Sequence, residues 1–144
     1  LRSRPDRLRA LREAVRVVCP GGLVFAAGIS RFSALAAGML RPVPEAAEER
    51  VLNLINTGDW DASGRFPIAH LHTSTELEGE LTDAGLTAVE SVCVEGPLGI
   101  ALEHLDAGDE ELHRAALLAA ERLGGVPGIK ETGPHLLAWA SVPQ

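Results

Sequence analysis

Cysteine is scarce in this sequence: Cys19 and Cys93 are the only two among 144 residues. Two cysteines make no disulfide framework, so a reducing compartment, the cytoplasm, is the expectation. Cys19 precedes Pro20 and Gly21 at a helix end and Cys93 stands in an apolar strand, and both read as small buried residues rather than nucleophiles. Long apolar runs are missing too. Each is broken by charge, glycine or proline well before the ~20 residues that a membrane span requires, which excludes a membrane partner. The first 16 residues are basic and helical, without the apolar stretch of a signal peptide. A positive excess is also absent. The formal net charge of −7 argues against a nucleic-acid partner, whose phosphates need a basic surface. No internal repeat, low-complexity tract or linker interrupts the chain.

What is present is ordinary for a globular protein: 46% hydrophobic and 23% charged residues, in a chain long enough for one domain with a real core. Residues 1–144 read as a single, partial domain. The charge is uneven, because Arg2, Arg4, Arg7, Arg9, Arg12 and Arg16 crowd the amino-terminal segment. Such a run reads as the solvated face of an amphipathic helix.

The spacing predicts a helix over 5–18, with Ser3 and Asp6 as a capping pair and Leu8, Leu11, Val15 and Val18 on one face. Pro20-Gly21-Gly22 stops it. Residues 23–29 are apolar throughout, as in a strand covered on both faces and too hydrophobic for an exposed edge. Helices are expected over 31–40 and 44–55, the latter with Glu45, Glu48 and Glu49 in its first turns. A loop is expected over 58–70. Thr75 and Glu78 suggest a capping box for a helix ending at Ala84 and Gly85, followed by a strand over 86–94. A helix over 109–123, with Leu112, Ala116, Ala119 and Leu123 on one face, and a last strand over 135–141 complete an α/β pattern.

The segment from Leu8 to Phe25, with its helix, Pro-Gly-Gly turn and apolar strand, resembles the late-core signature of class I S-adenosylmethionine-dependent methyltransferases. There a helix ends in such a turn and feeds the fifth sheet strand. The stretches Ala27 to Phe32, His72 to Gly85, Val94 to Pro97 and Pro134 to Ala138 extend the resemblance in order along nearly the whole chain. It implies a partial Rossmann-like methyltransferase sheet: the last three strands, the final two antiparallel, flanked by helices. That family holds its cofactor with a Gly-rich loop after the first strand, an acidic residue ending the second, and contacts after the third and fourth. Only 19 residues precede the Pro-Gly-Gly turn here, and the chain opens on Leu1 rather than Met. The chain therefore matches the carboxyl-terminal half, and no S-adenosylmethionine binding is expected from it alone. The run Glu95-Gly96-Pro97-Leu98-Gly99 is no substitute, since it lacks the tight Gly-x-Gly and Pro97 removes an amide donor.

The resemblance implies that Ser30, Arg31 and Phe32 lie at the carboxyl end of the fifth strand, near where ligands bind in such sheets. Arg31 could meet an anionic substrate, or be a surface arginine at a helix start. From the residues themselves, His70 and His72 are the other candidates. If extended, they face the same side, where one could serve as a base. A metal site wants a third ligand, and none lies nearby in sequence. His104 and His113 have no evident partner, His135 begins a strand and reads as structural, and Trp60 and Trp139 suit packing. Two functions follow. One is methyl transfer to a small-molecule acceptor, this chain shaping the acceptor pocket and a missing amino-terminal half or second chain supplying the cofactor. The other is a non-catalytic α/β domain that dimerises or docks through the edge of strand 23–29, with a homodimer as its simplest form.

Overall fold

The computed structural model describes residues 1–39, 47–60, 67–102 and 109–144. Helix α1 (Arg4–Val17) starts where Ser3 caps it: the Ser3 hydroxyl accepts from the Asp6 amide, and a proline sits in the first turn. After it the chain reverses through Gly21, at φ +79°, and Gly22. A Cβ on Gly22 would stand 2.5 Å from a Val18 methyl and 2.9 Å from the Cys19 carbonyl oxygen, so the turn needs glycine there. Strand β1 (Leu23–Ile29) follows, then helices α2 (Arg31–Met39) and α3 (Ala47–Thr57). The segment expected to be loop holds two short antiparallel strands, β2 (Asp59–Trp60) and β3 (Ala69–His70), which pair Asp59 with His70. Residues 40 and 44–46 of the expected helices, Glu45 among them, lie outside the described residues.

Helix α4 (Ser74–Asp83) begins two residues earlier than the expected Thr75 cap. Thr73 is the cap, and its hydroxyl and the Glu76 carboxylate satisfy each other's backbone amides. Two Thr-x-x-Glu frames overlap here. The earlier frame lets Glu76 also reach Arg31 and turns Leu77 and Leu81 inward. Strand β4 (Thr87–Cys93), a short helix α5 (Gly99–Leu102), helix α6 (Glu110–Leu123) and strand β5 (His135–Ser141) complete the order, with a 3-10 turn over Ile129–Glu131. On α6 only Ala116 is buried; Leu117 and Leu118 are exposed.

The fold is mixed α/β: a three-stranded sheet in the order β1-β5-β4 with flanking helices. β5 runs antiparallel to both neighbours, so β1 and β4 point the same way on either side of it. The core lies on one face, where Val24, Leu136, Ala138 and Ala140 meet Leu77, Leu81 and Leu86, with Leu11, Ala14, Val15 and Val18 of the α1 segment against them.

Two expectations are corrected. The first is that β1 is covered on both faces. Among the described residues it is the edge strand, as the docking reading requires, and it is met on its outer side only at its carboxyl end, by a parallel bridge between Ser30 and His72. Its second face is open, with Leu23 51% and Phe25 60% exposed. An unbroken apolar run cannot by itself tell how many faces its own chain covers. The second is burial of Cys19, which is exposed because the reversal carries it outside the core. Cys93 is buried, and burial pushes its thiol pKa up. Among the described residues no helix is long and apolar enough to cross a membrane.

Candidate functional site

Because α1 leads back into β1, the start of α1 lies beside the carboxyl end of β1. There the chain forms an open cleft of about 620 Å³ whose lining includes Arg2, Arg7, Asp59, His70, Glu76 and Glu80. Three elements converge on it: the first turn of α1, the β2–β3 pair and the first turns of α4.

Beneath the cleft, β1 hands over to α2 through backbone bonds to the segment after β3. The His72 amide donates to the Ile29 carbonyl at 2.9 Å, and the Arg31 amide donates to the His72 carbonyl at 2.8 Å. Ser30 is wholly buried, its hydroxyl donating to the Glu131 carbonyl at 3.0 Å. Arg31 is buried rather than a surface residue. Its guanidinium donates to the Leu71 carbonyl at 3.2 Å and to the Glu76 carboxylate at 2.6 Å. It thereby ties β1, the segment after β3 and α4 together. Phe32, beside it, is 44% exposed. Burial alone would raise the Glu76 pKa, but the hydrogen bonds from Arg31 and the Thr73 amide, with the Arg31 charge, hold it below the usual carboxylate range.

The two histidines do face the same side, their ring centroids 4.7 Å apart and edge to face. Their surroundings differ. His70 lines the cleft, its Nδ1 3.3 Å from Asp59 Oδ1 and its Nε2 3.9 Å from Glu76 Oε2. His72 lies deeper, with Nε2 3.4 Å from Glu80 Oε2 and Nδ1 buried without a hydrogen-bond partner. A Cβ on Gly28 would sit 3.1 Å from that Nδ1, so glycine lets the ring pack flat against β1. Burial lowers the His72 pKa, against the pull of the Glu80 charge. Burial alone would raise Glu80, but the hydrogen bonds and charge of Arg7 prevail and hold it down. Arg7 and Glu80 form a buried pair at 2.6 Å that joins α1 to α4.

The sequence singled out the histidines and the strand-end triplet but not Asp59, Glu76, Glu80 or Arg7. Arg7 is one of six arginines between residues 2 and 16, and nothing local in the sequence sets it, Glu76 or Glu80 apart. Asp59 follows Gly58, whose φ of +76° marks the turn that delivers it. His113 Nδ1 contacts the Asp109 carbonyl, and His135 contacts Glu95 at 2.5 Å, both away from the cleft. His104 lies outside the described residues. Among the described residues no group of three or more His, Cys, Asp or Glu side chains is arranged to hold a metal ion.

Two glycines are filled by neighbouring groups of the chain. A Cβ on Gly96 would lie 2.6 Å from the Ala120 Cα, so this glycine admits α6 rather than cradling a ligand. Gly28 is taken up by His72 in the same way.

No protein-family model and no curated protein matches the chain. Among solved structures, it is similar to a Haemonchus contortus phosphoethanolamine N-methyltransferase 2, determined with phosphomonomethylethanolamine and S-adenosylhomocysteine. The identity is 15% and the TM-score 0.38. The match covers 96% of this chain and 31% of that protein, so the chain spans about a third of its length.

Proposed function

We propose that this chain is the acceptor-binding half of a class I methyltransferase, and that S-adenosylmethionine is held by a Gly-rich half outside it. The observation that carries the reading is the ionisable cleft at the carboxyl end of the strand that follows the Pro-Gly-Gly turn. The order of matching segments in the sequence supports it. In this reading a small-molecule acceptor lies in the cleft against His70. His72 and Arg31 act from behind the cleft, through Glu80 and Glu76 of its lining; Ser30 and Phe32 are not among the lining residues. Methyl transfer needs two partners held in near-attack geometry, and the cleft's contribution is to hold one of them. The test is to purify the native polypeptide from its source, take its intact mass and assay transfer of labelled methyl groups from S-adenosylmethionine. A mass well above 15.2 kDa with transfer activity supports the reading. A native mass equal to that of this chain, or a larger protein without transfer, refutes it. Calorimetry on the 144-residue chain itself is expected to show no micromolar affinity for the cofactor.

A second reading is favoured by one observation, the open edge and face of β1 around Leu23 and Phe25. An edge strand with exposed apolar side chains is a template for pairing. A non-catalytic module would use it to dimerise or to dock. Concentration-dependent sedimentation of a native 144-residue protein without transferase activity supports that reading.

A further inference from the structure

The geometry points to His70 as the group that takes a proton from the ligand in the cleft, with Asp59 as the residue that positions it. The argument starts from the two ring nitrogens. Nδ1 faces Asp59 Oδ1 at 3.3 Å. An ionised carboxylate only accepts, so this contact selects the tautomer in which Nδ1 carries the hydrogen. Nε2 then holds the lone pair. Among the described residues the acidic group facing it is Glu76 Oε2, at 3.9 Å, beyond hydrogen-bonding distance. Glu76 is itself engaged by Arg31 and the Thr73 amide. An unshared lone pair on a side chain that lines an open cleft, with an orienting carboxylate behind it, is the arrangement of a general base. The backbone reinforces it, because β2 and β3 pair Asp59 directly with His70.

His72 is the internal contrast. It is the same side chain two residues on, but its Nε2 faces Glu80 and its Nδ1 is shut against Gly28. It has no free nitrogen toward the cleft, so its place is structural.

The ligand class is a small molecule bearing a hydroxyl or a protonated amine. Its X–H bond breaks, the bonding pair stays on X as a lone pair, and the proton forms a new N–H bond at His70 Nε2. The imidazolium faces Asp59 on one side and Glu76 on the other, and it releases the proton to solvent through the cleft. That the ligand is a methyl acceptor rests on the reading above; the base itself does not.

The test uses the folded 144-residue chain, with diethyl pyrocarbonate as the probe of free imidazole nitrogens and peptide mass mapping as the readout. We expect His70 to be modified on the order of tenfold faster than His72. Asp59→Asn should slow His70 on the order of tenfold, the low end of what an orienting carboxylate contributes to histidine ligands of metals. Nitrogen-15 NMR of the wild-type chain at alkaline pH should show the proton of His70 on Nδ1. This decides the matter even where Asp59→Asn fails to fold. A proton on Nε2, or a His70 no more reactive than His72, overturns the inference. These readouts need no methyl donor. Failure of methyl transfer by the native protein with the His70 signature intact would remove the methyltransferase reading alone.

Discussion

The two faces of the sheet teach different things. One face is closed by α1 and α4. It holds the apolar cluster, and at its carboxyl end a buried ionic network binds the elements together through Arg7, Glu80, His72, Arg31 and Glu76. The other face carries Phe25, paired across the ladder with Trp139, and Ala27, paired with Leu137. It buries much less of itself, and Phe25 is more exposed than not. The closed face accounts for stability and for the cleft, and the open face is spare. Substitutions on the two faces should therefore separate. The largest loss is expected from Arg7→Met, which removes the guanidinium from the buried Glu80 carboxylate and leaves it the 3.4 Å contact with His72. Breaking a buried pair in this way costs about 3–5 kcal/mol. Urea denaturation measures it, and a loss below about 1 kcal/mol would mean that the pair is solvated. Next is Leu81→Ala, which empties a fully buried site between α4 and the sheet. About 3 kcal/mol is expected, as for other buried leucines.

Much of the closed face was legible in the sequence. The stripe of Leu8, Leu11, Val15 and Val18, the glycine turn and the ends of β1 and β5 follow from local rules, and the structure has each of them. Residues 58–70 read as loop because two-residue strands leave no periodic signal. The site was legible only in part for the same reason. His70 and His72 stand two apart, and alternation put them on one side. The partners that distinguish them, Asp59 and Glu80, come from segments 11 and 8 residues away. Arg31 reads equally as a partner for an anionic substrate and as a surface arginine, because nothing local announces that Glu76, 45 residues on, pairs with it. The openness of β1's second face was illegible in principle, since an apolar run states what a strand prefers and not what covers it.

A smaller effect should appear on acidification, and it belongs to the closed face alone. His72 has its folded-state pKa lowered by burial, so the unfolded chain binds its proton first as pH falls. Its contribution is complete above the unfolded value of about 6.5 and is lost as pH drops through the folded value. Glu80 and Glu76, also lowered, contribute fully above the unfolded carboxylate range and lose this as pH falls further. Thermal melts should thus show two descending steps, the first starting below about pH 6.5. His72→Gln should flatten the first and spare the second. A melting temperature that rises between pH 7 and pH 5.5 contradicts the assignment.

The smallest expected change in stability, with the clearest change in association, is Phe25→Ser. The side chain stands 60% exposed on the open face of an edge strand, so its removal deprives the monomer of little packing. Within about 0.5 kcal/mol the unfolding free energy should be unchanged. If the open face is where this chain meets the rest of its sheet or a second copy, the same substitution should shift sedimentation toward monomer at every concentration tested. A large destabilisation of the monomer would show instead that the second face is already covered, and the division between the two faces would fall.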